Sequence, residues 1–257
     1  MKQPVFNRVG SKQPMLKELQ EYIPKDIEIF VEPFVGSGIV FLNLSDSSSK
    51  IIINDLDEGL MTSYKFLKNL KESDFEYYKF LDKSLYKDES NYLLTLNKIW
   101  TKLLAKGDNL TEQEYFIKQL LSKLTFGTKG VGKLYSENVN LYNRFKRRIP
   151  DMIEKLQNTV ISNISYEKVL NKYDNENVFF YLDPPYENSK KMYRHSSFPL
   201  EELEKNVRKL KGKFLLSLND SPAVRELFGE YRIVSVKVRA SSWSHSNIRD
   251  EVLIMNY

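Results

Sequence analysis

The stretch IEIFVEPFVGSGIVFLNL, residues 27–44, decides the fold class of this 257-residue chain. Residues 27–31 predict a strand, residues 32–38 a glycine-containing turn, and residues 39–44 the start of a helix. A second strand, rich in isoleucine, is predicted at residues 50–54 and is followed by Asp55. Strand, helix and strand in this order predict a βαβ unit with two parallel strands.

The remaining pattern indicates an α/β sheet with a helical insertion. Further strands are predicted at residues 159–162, 178–182 and 214–218, with a closing antiparallel pair at 232–238 and 251–256. Residues 57–124 show helical spacing throughout, and Thr111 and Glu114 match a capping box. We therefore predict a sheet domain formed by residues 1–58 and 150–257, and an inserted domain formed by residues 59–149.

The net charge of +5 is concentrated in one window. Residues 118–149 carry eight basic residues and one acidic residue, which gives the window a charge of +7, whereas the rest of the chain sums to −2. A local excess of cations among aromatic side chains is typical of a surface that binds nucleic-acid phosphates. The predicted DNA-binding residues are Lys129, Lys133, Arg144, Lys146, Arg147 and Arg148. The alternative interpretation is a solvated helix face.

Composition excludes several other classes of protein. The chain has no cysteine and two histidines, which argues against disulfide scaffolds, zinc fingers and cysteine nucleophiles, and no metal is predicted. No run of 18 apolar residues and no apolar signal region is present, so we expect a soluble, cytoplasmic protein. Residues 127–133 match the spacing of a P-loop, but Leu134 stands where the magnesium-binding hydroxyl belongs. We therefore do not interpret this segment as a nucleotide site.

The tetrapeptide Asp183-Pro184-Pro185-Tyr186 follows a wholly apolar predicted strand. In open α/β sheets, ligands bind outside the carboxyl ends of parallel strands. An aspartate and a neighbouring carbonyl provide two acceptors, and a tyrosine ring provides a stacking surface, which together suit a planar base with an exocyclic amino group. The alternative is a Pro-Pro turn that the aspartate merely caps.

A second candidate site lies in the first βαβ unit. Gly36 and Gly38 allow close approach of the backbone to a ligand, and Asp55 ends the next strand, where it is placed to accept hydrogen bonds from ribose hydroxyls. The third glycine of the dinucleotide fingerprint is absent, because Val40 and Phe41 occupy its place. The pattern favours a nucleoside ligand over NAD. A purely structural turn is the alternative.

Together these motifs resemble the Dam-like adenine-specific DNA methyltransferases of the class alpha amino-methyltransferase family. The resemblance is carried, in the family's order, by residues 7–12, 32–38, 54–55 and 183–186. It implies a Rossmann-like S-adenosylmethionine-dependent methyltransferase sheet with an inserted helical DNA-recognition lobe. The residues that it implies for S-adenosylmethionine binding are Arg8, Gly10, Lys12, Phe34, Gly36, Gly38, Asp55, Ser165, Tyr166 and Asp183. Arg8 stands where familiar members carry an aromatic residue.

The resemblance also implies the reaction, which is site-specific methyl transfer to N6 of an adenine flipped out of double-stranded DNA. Asp183 and the carbonyl of Pro184 are expected to accept the two amino hydrogens, Pro185 to hold the turn, and Tyr186 to stack on the base. A GATC target is not predicted, because the family's GATC-reading hairpin is not recognisable in residues 129–148. A cognate restriction endonuclease is a partner that the resemblance allows. A catalytically silent DNA-binding protein, and an enzyme that methylates cytosine or RNA, stay open as alternatives.

Overall fold

The computed structural model describes most of the chain as two compact units. The described residues are 1–6, 8, 10–45, 49–122, 124, 140–185, 198–239 and 248–257. Unit 1 contains residues 1–10, 36–38 and 57–161, and unit 2 contains residues 11–35, 39–56 and 162–257, each within those limits.

Seven strands of the described chain form one mixed sheet. They are β1 (Ile29–Glu32), β2 (Lys50–Asn54), β3 (Thr159–Ser162), β4 (Val178–Leu182), β5 (Lys213–Asn219), β6 (Arg232–Arg239) and β7 (Ile248–Met255). The strand order is β3-β2-β1-β4-β5-β7-β6. Strand β1 pairs in parallel with β2 and β4, and β4 pairs in parallel with β5. Strand β7 is antiparallel to both β5 and β6.

This sheet confirms the predicted α/β class, the parallel βαβ unit and the closing antiparallel pair. All five residues of β4 are buried, as expected for a parallel strand covered on both faces. From β1, strands β2 and β3 follow in one direction across the sheet, whereas β4 and β5 follow in the other direction. Strands β1 and β4 therefore lie side by side, although they come from the first and last thirds of the sequence. Such a reversal opens a crevice at the carboxyl ends of the two strands.

The helices of unit 2 cover the sheet. They are α1 (Leu16–Tyr22), α2 (Ile39–Leu44), α7 (Tyr166–Tyr173), α8 (Leu200–Val207) and α9 (Pro222–Leu227). Val169 of α7 and Leu203 of α8 are fully buried in one apolar core with strand residues such as Phe180 and Leu216. In the part of the chain that is described, no helix has the length and apolar character needed to cross a membrane.

Unit 1 is helical. It contains α3 (Glu58–Asn69), α4 (Glu89–Ala105), α5 (Glu112–Ser122), α6 (Leu141–Gln157) and 3₁₀ segments at Glu72–Leu81 and Lys83–Leu85. A further 3₁₀ segment, Gln13–Met15, belongs to unit 2. Its core is aromatic, and the rings of Phe6 and Tyr64 meet edge to face at 4.9 Å. The predicted capping box at the start of α5 is confirmed, because Thr111 and Glu114 each accept a hydrogen bond from the other's backbone N–H.

Helix α6 begins earlier than its sequence predicts. The sequence pattern predicts a helix over residues 151–157, but the structure begins it at Leu141, where Asn140 accepts hydrogen bonds from the first-turn amides. Pro150 lies inside the helix, and its usual effect as a helix breaker is the reason the start was misplaced. The apolar stripe of the helix runs unbroken past the proline. The domain boundary predicted at residue 150 falls inside α6, all of which belongs to unit 1.

Candidate active site

Three acidic residues stand at the carboxyl ends of three neighbouring parallel strands in unit 2. Asp55 directly follows β2, Glu32 ends β1, and Asp183 directly follows β4. Carboxyl ends of parallel strands meet at one edge of a sheet, so the three carboxyl groups share the crevice that the strand order opens. Burial is the main cause of the raised pKa of Glu32, and the charges of Asp183 and Asp55 add to it.

Asp183 is held by a buried lysine and a buried serine. The ammonium nitrogen Nζ of Lys12 lies 2.8 Å from Oδ1 of Asp183, and the Ser217 hydroxyl donates a hydrogen bond to the same oxygen at 3.2 Å. The aspartate side chain is 19% exposed and the lysine side chain 5%. Burial raises the pKa of Asp183 above its usual value, and the ion pair with Lys12 opposes that rise.

Lys12 has a second acidic partner. Its Nζ lies 3.5 Å from a carboxylate oxygen of Glu251 on β7, a residue whose side chain is also buried. Burial alone lowers the pKa of Lys12, but the two carboxylates outweigh burial and raise it, so the lysine is a cation at neutral pH. Two carboxylates therefore surround one ammonium group.

Ser217 links Asp183 to a buried tyrosine. The hydroxyls of Tyr181 and Ser217 lie 3.2 Å apart. Burial raises the pKa of Tyr181 well above its usual value, so its hydroxyl stays protonated. The Ser217 hydroxyl therefore lies within hydrogen-bond distance of both the Tyr181 hydroxyl and Asp183.

Glu32 joins the site to the start of a helix. Its carboxylate accepts a hydrogen bond of 2.9 Å from the backbone N–H of Phe41, in the first turn of α2. Burial raises the pKa of Glu32 well above its usual value; the bond from Phe41 opposes the rise, and Asp183 and Asp55 add to it.

Asn54 fixes the loops on either side of the crevice. Its side-chain amide donates to the carbonyls of Pro33 (3.1 Å) and Ile164 (2.9 Å). Its oxygen accepts from the hydroxyl of Ser162 and from the backbone N–H of Ile164, at 2.9 and 3.0 Å. The residue is 1% exposed, so its amide group is shielded from water.

An aromatic surface lies beside these loops. The rings of Phe34 and Tyr166 have centroids 5.3 Å apart and are tilted by 34°. Phe198 packs edge to face on Phe34 at 5.7 Å. The hydroxyl of Tyr166 accepts a hydrogen bond from Asn206 at 3.2 Å, and burial raises the pKa of Tyr166 to about 12. Ser165 is the N-cap residue of α7, directly before this tyrosine.

Other predicted cofactor residues belong to unit 1. Arg8 donates a hydrogen bond of 2.7 Å to the carboxylate of Asp57. Gly36 and Gly38 have φ angles of +48° and +73°, which side chains other than hydrogen adopt only under strain, and Gly10 also belongs to this unit. The carbonyl of Gly36 accepts a hydrogen bond from Tyr64, which fixes the turn within unit 1.

The basic residues of α6 differ in exposure. Lys146 and Arg147 are exposed, and Arg144 is half-buried. Arg148 is 9% exposed and donates a hydrogen bond of 2.9 Å to the carbonyl of Pro4. Burial, with repulsion from the two neighbouring arginines, lowers the pKa of Arg148 to about 10. The predicted residues Lys129, Lys133 and Tyr186 lie outside the described residues.

Comparison with known proteins supplies the family. Residues 9–241 match the family described as D12 class N6 adenine-specific DNA methyltransferase. The chain belongs to this family. The methyltransferase is 26% identical to the type II methyltransferase M.CviBI of Paramecium bursaria Chlorella virus NC1A, over 89% of this chain and 87% of that protein. It is also 26% identical to the type II methyltransferase M1.LlaDCHI of Lactococcus lactis subsp. cremoris, over 99% and 95% of the two chains. Identity to the DNA adenine methylase of Escherichia coli strain K12 is 26%, over 95% and 90%.

Family membership establishes the activity and the methyl donor. The chain is an adenine-specific DNA methyltransferase that uses S-adenosylmethionine. The family, adenine-specific DNA methylation and the methyl donor implied by the sequence motifs are therefore confirmed. Among the described residues, no group of three His, Cys, Asp or Glu side chains is arranged to hold a metal ion.

The acidic edge of the methyltransferase suits this cofactor. S-adenosylmethionine carries a sulfonium, an ammonium and a ribose diol, and carboxylates attract the first two and accept hydrogen bonds from the third. Asp55 and Asp183 stand at the ends of β2 and β4, where such groups are needed. The rings of Phe34 and Tyr166 offer an apolar surface for a purine.

Sequence reasoning missed several residues of the site. It did not single out Glu32 as a buried acid, Asn54 as a connector, or Ser217, Tyr181 and Glu251 as neighbours of Asp183. The adjacency of Asn54 to the predicted acid at position 55 was a usable signal. For the others no local pattern exists, because they come from strands that are joined only by the order of the sheet.

Proposed function

We propose that the methyltransferase acts on an adenine flipped out of double-stranded DNA, and that Asp183 is its catalytic residue. The observation that carries this proposal is the position of the Asp183 carboxylate and the contacts that hold it. It stands at the end of β4, is partly exposed, and is fixed by Lys12 and Ser217. Two prolines follow it and stiffen the turn.

The exocyclic nitrogen N6 is a weak nucleophile, because its lone pair is delocalised into the adenine ring. Asp183 accepts a hydrogen bond from one N–H of this amine, and the carbonyl of Pro184 accepts the other. The two acceptors draw the nitrogen towards tetrahedral geometry and free its lone pair. S-adenosylmethionine supplies a methyl group attached to a positively charged sulfur.

Asp183 also takes up the proton that N6 releases when its new bond to carbon forms. The raised pKa of this carboxyl makes it a stronger base than an ordinary aspartate. Pro185 keeps the turn rigid, and Tyr186 stacks on the flipped base. Most of the rate enhancement then comes from positioning and electrostatics, without a covalent enzyme intermediate.

The proposed contacts to the cofactor come from the carboxyl end of β2 and from the aromatic pair beside it. Asp55 accepts hydrogen bonds from the ribose hydroxyls, and Phe34 and Tyr166 enclose the adenine ring. The other residues proposed to contact the cofactor are Arg8, Gly10, Lys12, Gly36, Gly38, Ser165 and Asp183. The ion pair of Arg8 with Asp57 gives that arginine a structural role as well.

Proposed contacts to DNA phosphates come from the exposed cations of α6, Lys146 and Arg147, together with Arg144 and with the predicted residues Lys129 and Lys133. We leave Arg148 out of this set, because its burial and its bond to Pro4 support a packing role. The enzyme would work in the cytoplasm on DNA. A cognate restriction endonuclease is a proposed partner, by analogy with the relatives named as type II methyltransferases.

The proposal is tested by Asp183→Asn, which keeps the size of the side chain and removes its charge. We expect methyl transfer from labelled S-adenosylmethionine to fall by a factor of about a thousand or more, while DNA binding stays within a factor of about three of the wild type. The matched control is Asp174→Asn. Asp174 accepts backbone hydrogen bonds from Lys211 and Gly212 at the opposite edge of the sheet, and its variant should retain methyl transfer. Wild-type turnover by Asp183→Asn would rule the proposal out.

A further inference from the structure

Glu251 contacts Lys12 but has no part in the reaction proposed above, and it is one of the few buried acids of the described chain. It lies on β7, opposite Asn219 of β5 in the antiparallel register. Its side chain is 6% exposed. An ionised carboxylate is expensive to bury unless a cation compensates it, and the compensating cation here is Lys12 at 3.5 Å.

Two lines of contact converge on one oxygen of Asp183. One runs from Glu251 through Lys12, whose Nζ makes its closest approach at Oδ1. The other runs from Tyr181 through the hydroxyl of Ser217, which also donates to Oδ1. The carboxylate is thus contacted directly by Lys12 and by Ser217 of β5, and indirectly, through Lys12, by Glu251 of β7. Both contacts are made by Oδ1, so Oδ2 stays available to accept a hydrogen bond from another donor.

We propose that Glu251 is a positioning residue for methyl transfer, which holds Lys12 against Oδ1 of Asp183 so that Oδ2 is directed at the amino group of the substrate. Ser217 shares this task from the other side of the carboxylate. The proposal rests on the proposed role of Asp183 and adds that the orientation of its carboxylate is set by an acid on β7.

The arrangement has an electrostatic signature. The titratable groups that face Asp183 are Lys12, Glu251, Glu32 and Tyr181. Lys12 lowers the pKa of Asp183, and Glu251 raises it. Neutralising the lysine should therefore move the acid limb of the rate profile to higher pH, and neutralising the glutamate should move it to lower pH.

The test is the single-turnover rate of methyl transfer to duplex DNA as a function of pH. Glu251→Leu removes both charge and hydrogen bond, and we expect the rate to fall about ten- to a hundredfold, since small misplacements of a reacting group have effects of this size. Glu251→Gln keeps an oxygen for Lys12, so it should restore most of the rate while shifting the acid limb down by about one pH unit. Lys12→Met should shift the limb up by about one to three units. Asp250→Asn, an exposed acid next in sequence, is the matched control and should leave rate and profile unchanged.

The outcomes separate this proposal from the one on which it rests. If Asp183→Asn is inactive but both Glu251 variants match the wild type in rate and pH profile, the positioning role is wrong and the role of Asp183 stands. If Asp183→Asn is active, the role of Asp183 fails first. Thermal unfolding of each variant identifies loss of folding. If Glu251→Leu is unfolded, the acid limbs of the other two variants test the proposal instead. The proposal predicts a shift to lower pH for Glu251→Gln and to higher pH for Lys12→Met, and shifts in the same direction would overturn it.

Discussion

Replacing Asn54 with leucine should destabilise unit 2 strongly, although the two side chains are similar in size. The amide of Asn54 makes four hydrogen bonds, to Pro33, to Ser162 and twice to Ile164. Leucine makes none of them. Asn54 is 1% exposed, so water does not replace its amide at the buried carbonyl of Pro33, whereas Ser162 and Ile164 are partly exposed.

The size of the effect follows from the number of bonds. A buried hydrogen bond contributes about 0.5–1.5 kcal/mol net, and an unsatisfied buried partner costs about as much or more. Four bonds therefore correspond to about 4 kcal/mol of unfolding free energy. For a chain of this size, that loss lowers Tm by about 8–16 °C.

Urea unfolding followed by circular dichroism measures the change in free energy. The matched control is Asn175→Leu, because Asn175 also makes two local side-chain hydrogen bonds but is exposed to water. That variant should lose less than about 1 kcal/mol. A loss below about 1 kcal/mol for Asn54→Leu, or one equal to the control, would refute the reasoning that these bonds hold the crevice loops together.

Three further predictions follow from the same structure. The raised pKa of Glu32 means that the folded protein holds the proton of this carboxyl to higher pH than the unfolded chain does. The contribution of Glu32 to stability is therefore present below its ordinary pKa and is lost as pH rises through the folded value. The Glu32→Gln variant should lose less unfolding free energy between pH 5 and pH 8 than the wild type, and an identical pH dependence would contradict this prediction. Gly38→Ala should destabilise the protein by about 1–2 kcal/mol in thermal unfolding, because φ at this position is +73°, whereas an unchanged Tm would show that the turn relaxes freely. Charge reversal of Lys146 and Arg147 together should weaken DNA binding and reduce the slope of log Kd against log salt by about two, measured by fluorescence anisotropy, and an unchanged slope would remove α6 from the DNA-binding surface.

The parallel core of the sheet could be predicted because its signals are local. An isoleucine-rich run before Asp55 and a wholly apolar run before Asp183 each combine strand-forming side chains with an abrupt polar end. These two strand ends, and the glycine turn that follows β1, are also the parts of the site that the motifs identify.

The surroundings of Asp183 could not be predicted, because they depend on tertiary contacts. Lys12 was expected to bind the cofactor, and no spacing in the sequence links it to Glu251 or Ser217. Only the strand order β4-β5-β7 brings those side chains together. The start of α6 was misplaced for a different reason, since Pro150 suggested a boundary that the apolar face of the helix overrides.

The most direct test of the central claim is the identity of the nucleoside that the enzyme modifies. Duplex DNA of random sequence is incubated with the enzyme and methyl-labelled S-adenosylmethionine, digested to nucleosides and analysed by mass spectrometry. The account predicts label in N6-methyldeoxyadenosine with the wild type and none with Asp183→Asn. Label in N4-methyldeoxycytidine, or equal labelling by the Asp183→Asn variant, would contradict it.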